Sequence, residues 1–67
     1  MTVDDAERRY EAALRQLPEA HSLALRLSRA GAADEVICDY LRIEPEGLAS
    51  VLEIAHRKLA IELEKLQ

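Results

Sequence analysis

The chain has no tryptophan, no phenylalanine and one cysteine, and only two glycines and two prolines. Without large aromatic rings, a core has to come from Leu, Ile, Val and Ala. The single Cys38 excludes an internal disulfide, and a reducing cytoplasm is the expected setting. So few Gly and Pro make long helices the natural reading. No apolar run approaches the ~20 residues a membrane helix needs, so no membrane partner is expected. No signal peptide precedes the acidic start, and Thr2 stands where N-myristoylation requires Gly. Positive charge is also scarce: nine Lys and Arg face thirteen Asp and Glu, a formal net charge of −4. Bulk electrostatics therefore offers no support for a nucleic-acid partner. The shortage is sharpest over residues 43–56, IEPEGLASVLEIAH, which hold Glu44, Glu46 and Glu53 but no Lys or Arg.

What is present is a globular balance, 49% hydrophobic and 33% charged residues in a chain of 67. That length suits one small domain. A chain this short buries only about 60% of the surface its unfolded form exposes, so stability should be a few kcal/mol and a partner would add to it. The Met start and the lack of a linker favour a standalone small protein.

The 3.6-residue period and the breakers predict four helices. Thr2 can cap the first, whose inner face is Val3, Ala6, Tyr10, Ala13, Leu14 and Leu17. Asp4, Asp5 and Glu7 suit the positive end of its dipole. Pro18 ends it and suits the first turn of the second helix, about Pro18 to Arg29, with Ala20, Leu23, Ala24 and Leu27 inside. Gly31 is the expected left-handed stop. A third helix, about Asp34 to Leu41, is expected to bury Val36, Ile37, Tyr40 and Leu41. A tight turn, Arg42-Ile43-Glu44, leads to Pro45 and a fourth helix running nearly to Leu66.

The fourth helix carries two apolar stripes. Leu48, Leu52, Ala55, Leu59, Leu63 and Leu66 fall in a band about 80° wide at 100° per residue, the core side. Val51, Ile54 and Ile61 lie some 70–150° from its centre, and one small domain cannot bury both sets. The second stripe is expected to be partly exposed or covered by a partner.

Residues 14–66 resemble region four of bacterial RNA polymerase sigma factors, the helix-turn-helix that reads the −35 promoter element. Leu17-Pro18-Glu19 is similar to the family's opening, Gly31 to its helix-ending Gly, and Val36-Ile37-Cys38 stands where it writes Glu-Ile-Ala. Leu41 and Ile43 fill its apolar turn positions, and Leu48, Leu52, Ala55 and Leu59 its last-helix skeleton. LuxR-type effector domains share much of this architecture, and Lys58-Leu59 suits them too; the Leu-Pro-Glu opening and Ala55 favour the sigma family. The resemblance implies an all-α, four-helix helix-turn-helix domain and a transcription role.

The departures gather on the face that would read DNA. Ala49 replaces a common Lys, Val51 and Ile54 replace common Arg positions, and Glu53 a polar one. Base readout needs donors such as Arg or Asn, and phosphate contacts need Lys or Arg. Arg42 replaces a turn Gly, and a left-handed non-Gly residue costs roughly 1–2 kcal/mol, so a different turn is expected. Ala33 replaces a capping Ser, with Asp34 as the substitute cap.

Two function classes follow. In the first, protein contacts dominate. Val51, Ile54 and Ile61, rimmed by Glu53, Arg57, Lys58 and Lys65, bind a second copy or a partner that the resemblance implies: RNA polymerase, an anti-sigma protein or an activator. The bland alternative is that neighbouring helices cover the stripe. In the second, the chain is a DNA-binding regulator using Arg42, Ser50, Arg57 and Lys58, weak unless dimeric or tethered to polymerase. Arg8, Arg9, Arg15, Arg26 and Arg29 read more simply as solvated charges balanced by Glu7, Glu11 and Glu19 at short helical spacing than as a second nucleic-acid surface. His21, His56 and Cys38 lack metal-site spacing, no nucleophile has a base nearby, and no Gly-rich phosphate loop is present. No enzyme activity, cofactor or small-molecule substrate is expected.

Overall fold

The computed structural model describes residues 4–66. Helix α1 spans Asp5–Arg15, α2 Glu19–Arg29, α3 Asp34–Leu41 and α4 Pro45–Lys65, and no strand occurs among the described residues. The all-α, four-helix expectation holds, with boundaries within about two residues of those expected. Thr2 and Val3, expected to cap and line the first helix, lie outside the described residues. Asp4 takes the cap, accepting from the Ala6 amide at 3.3 Å. Pro18 is the N-cap of α2, and Pro45 opens α4 where its missing N–H is no loss.

Helix ends decide how the chain turns. After α2, Gly31 has φ +88°. Its amide donates to Ser28 O at 3.1 Å and the Ala32 amide to Leu27 O at 3.0 Å, the paired bonds of a Schellman stop. Leu27 and Ala32 then pack against the same part of the core. The end of α3 repeats the device without a glycine. Arg42 is left-handed at φ 57°, ψ 48°, and the Ile43 amide donates to Cys38 O at 3.1 Å. The expected change of turn does not occur. Ile43 packs against the core region that contains Cys38, and its burial there offsets the strain at Arg42. Arg42→Gly removes the strain but adds freedom to the unfolded chain. A net gain of about 0.5–1 kcal/mol is expected, which thermal unfolding reads as a Tm rise of roughly 3–6 °C. An unchanged or lowered Tm would mean the Arg side chain itself holds the turn. Asp34 does not replace the capping Ser: Ala33 is the N-cap and no side chain caps α3.

The core has two parts. Ala13 and Leu14 of α1, Leu17, Leu25 of α2, and Ala55 and Leu59 of α4 form one. Ala24 of α2, Ile37 and Cys38 of α3, and Leu48 of α4 form the other. Leu52 touches both. The N-terminal half of α4 thus closes over α2 and α3, and its C-terminal half over α1 and α2. Ala13, Ala24 and Ala55, all fully buried, let the helix backbones approach closely.

Burial corrects several expectations. Leu25, absent from the expected stripe of α2, is only 2% exposed, while Ala20 is exposed and Leu23 half-buried. Helix α2 lies between two core regions, so neighbouring Ala24 and Leu25, 100° apart, both face inward. In α3 the inner residues are Ile37 and Cys38, whereas Val36 and Tyr40 face solvent at 42% and 64% exposure. This short helix packs mainly on α2 and α4, and Val36 and Tyr40 lie on its other side, uncovered among the described residues. Ala6 and Leu66 are exposed too, near the ends of α1 and α4. Val51 is half-buried and packs into the second core region; it is not part of a free stripe.

Candidate functional site

The outer face of α4 is set by a seven-residue spacing. Ile54 and Ile61 lie within about 20° of each other on the helix wheel, turned well away from the core band. They are 40% and 49% exposed. Lys58 stands between them and Lys65 one turn beyond, both exposed. Four of the five expected partner-binding residues therefore share one open face, and Val51 is the exception. Two of the rim cations have local company. Arg57 Nη2 lies 3.5 Å from Glu53 Oε2, and Lys65 Nζ 3.2 Å from Glu62 Oε2. Lys58 forms no ion pair among the described residues.

The residues of the DNA reading, Arg42, Ser50, Arg57 and Lys58, are all exposed or, for Arg42, open to solvent at the turn. Their setting is unfavourable for a polyanion. From α3 through the turn into the first residues of α4, five acids (Asp34, Glu35, Asp39, Glu44 and Glu46) accompany the single cation Arg42. Outside that stretch acids and bases are equal in number, so the whole formal charge of −4 resides here. The acids of the turn and last helix stand out along the chain, but their concentration with those of α3 and the open Val36/Tyr40 pair were not expected. A segment-by-segment charge count finds the first. The second depends on which side of α3 is covered.

This acidic field reaches Cys38. Burial pushes the thiol upward from its ordinary value, and Asp34, Asp39, Glu44 and Glu46 push it the same way. A buried thiol held protonated is a packing residue and a poor nucleophile. His21 is half-buried on α2, His56 exposed on α4, and no group of three His, Cys, Asp or Glu among the described residues is placed to hold a metal ion. No helix among the described residues is long and apolar enough to cross a membrane.

The arginines of α2 pair with acids of α1. Arg26 Nη1 meets Glu11 Oε2 at 2.8 Å and Arg29 Nη2 meets Glu7 Oε1 at 2.7 Å, lacing α2 to α1. The Arg29 guanidinium also sits 4.2 Å from the centre of the Tyr10 ring. Of Arg8, Arg9, Arg15, Arg26 and Arg29, only Arg15 pairs at the short spacing expected from sequence among the described residues, loosely, with Glu11 at 4.0 Å. Arg26 and Arg29 reach instead from α2 to α1. The hydrogen bond from Arg26, helped by the charges of Arg26, Arg15 and Arg29, holds the Glu11 carboxyl below its ordinary value. A carboxyl depressed on folding stabilises the fold above its unfolded pKa and loses that contribution as pH falls through the folded one. Thermal melts should therefore show a small fall in Tm below about pH 5, with less of that fall in Glu11→Gln. An identical acid profile in the variant would remove Glu11 from the account. The effect is small because the pair is half-exposed and screened.

Compared with protein-family models, with curated proteins and with solved structures, the chain matches none.

Proposed function

We propose that the chain is a transcription-associated helix-turn-helix module, similar to region four of sigma factors, that works mainly through protein contacts. The observation that carries this reading is the inversion of the expected DNA face. The segment from Asp34 to Glu46 holds the chain's net negative charge, and the helix after it presents Ile54 and Ile61 to solvent. Nonspecific DNA binding rests on neutralising phosphates, and acids at the turn work against the few cations near them. Apolar side chains on an open helix face favour burial against another protein surface. Partners of the right kind are RNA polymerase, an anti-sigma or activator protein, or a second copy of the chain.

The runner-up reading, a DNA-binding regulator, is favoured by one observation. Arg42 keeps a left-handed turn between α3 and α4, and Ser50, Arg57 and Lys58 lie exposed on the helix that follows. Fluorescence anisotropy of generic and promoter-like duplexes at about 50 mM and 200 mM salt, with sedimentation of the same sample, separates the two. The expected result is no DNA binding at either salt. Binding that weakens steeply with salt, and that Arg57→Glu abolishes, would transfer the function to DNA.

A further inference from the structure

We infer that α3 of one molecule docks onto the outer face of α4 of a second copy. This rests on the protein-contact reading above and names the partner. Two exposed faces of the same chain carry the argument. On α3, Val36 and Tyr40 are one helical turn apart and stand open at 42% and 64% exposure. Glu35 and Asp39 edge them, and α3 contains no Lys or Arg. Neither acid is in an ion pair among the described residues. On α4, Ile54 and Ile61 are edged by Arg57, Lys58 and Lys65. At 100° per residue these cations lie within about 50° of the centre of the strip, and Glu53, Glu62 and Glu64 farther out, some 70–90° from it.

Each molecule therefore has one apolar strip bordered by acids and another bordered by cations. Like cannot pair with like. Two α4 faces laid together, in either direction, bring Lys58 and its neighbouring cations against one another, and two α3 faces juxtapose Glu35 and Asp39. Like charges facing each other across a contact oppose it strongly. The unlike pairing covers both apolar strips and gives Lys58, Glu35 and Asp39 the ion-pair partners they lack among the described residues of one chain. It also accounts for the acids of α3 without a basic macromolecule. A two-fold arrangement in which each α3 covers the other's α4 closes into a dimer; a head-to-tail one continues as a chain.

Charge reversal tests this on the full chain, by sedimentation from micromolar to near-millimolar concentration with helix content followed by circular dichroism. The wild type should gain mass with concentration, more weakly as salt rises. The α3 variant Glu35→Lys/Asp39→Lys and the α4 variant Lys58→Glu/Lys65→Glu should each self-associate at least about tenfold more weakly. Mixed in equal amounts, the two should associate with each other, because an acidic α4 then meets a basic α3 and the native pairing remains on the other side. Tyr40→Ser, which alters no charge, should weaken the wild-type assembly from the α3 side. A wild type that stays monomeric throughout overturns the inference. So does an assembly that ignores the α3 reversal, which would place α4 against some other surface, or a mixture that fails to associate. Salt-sensitive DNA binding by the wild type would instead overturn the protein-contact reading itself. A monomer that binds no DNA would leave that reading standing and remove only the second copy as partner.

Discussion

Leu25→Ala is expected to destroy most of the domain's cooperative stability, whereas Leu23→Ala two residues earlier is expected to be mild. Leu25 is 2% exposed and packs with Leu14, Leu17, Ala55 and Leu59 where α1, α2 and α4 meet. Truncating a fully buried leucine costs about 2–5 kcal/mol, part lost transfer energy and part cavity. A 67-residue chain commonly has only a few kcal/mol to lose. The molecule measures 37 × 26 × 15 Å, so across its thin dimension there is little interior to relax into. Urea unfolding at 25 °C should show a clear transition for the wild type and little or none for Leu25→Ala. Leu23 is half-buried and belongs to neither core region, so its truncation should cost about 1 kcal/mol or less. Equal losses at the two positions would mean that α2 is rotated from the orientation described.

The second large effect concerns association rather than folding. Ile54→Lys/Ile61→Lys should weaken self-association, or the binding of whatever protein occupies the outer face of α4, by about 30-fold to 1,000-fold. Covering the exposed half of each isoleucine contributes about 1 kcal/mol, and burying an added ammonium opposite apolar groups costs more. Together that is ~2–4 kcal/mol, which converts to this range of dissociation constants. Helix content and Tm should barely change, because neither side chain belongs to either core region. Sedimentation and circular dichroism on the same samples check both halves of the statement. An unchanged dissociation constant would remove the Ile54/Ile61 face from the interface. Substituting Val51 with Arg, natural if the three residues formed one free stripe, is expected to fail differently. Val51 packs into the second core region, so a charge there destabilises the fold and confounds any binding measurement.

Much of the fold and part of the candidate site are legible in the amino-acid sequence. The four helices, the Gly31 stop, the Pro45 start and the core band of α4 follow from local rules: periodicity, capping and φ preference. Each depends on residues within a turn or two of one another. Periodicity also locates Ile54 and Ile61 outside the core band, because a stripe opposite the core of a single helix is a property of that helix alone. The charge on the segment from α3 into α4 is equally open to counting.

Which side of a two-sided helix is covered is not legible in this way. Helix α2 is sandwiched, so Ala24 and Leu25 serve different core regions, and a search for one stripe finds only one of them. Helix α3 has apolar residues around much of its circumference, and only the positions of α2 and α4 put Ile37 and Cys38 inside and Val36 and Tyr40 outside. Arg26 and Arg29 pair with Glu11 and Glu7 of α1, fifteen and twenty-two residues away, which spacing along a single helix does not reveal. Arg42 is left-handed where the next residue, Ile43, turns into the second core region. The sequence by itself determined where the helices are, how they end and where the charge lies, since those energies are local. The tertiary structure alone decided which apolar residues stay in water, because burial belongs to pairs of surfaces and no segment carries its own partner.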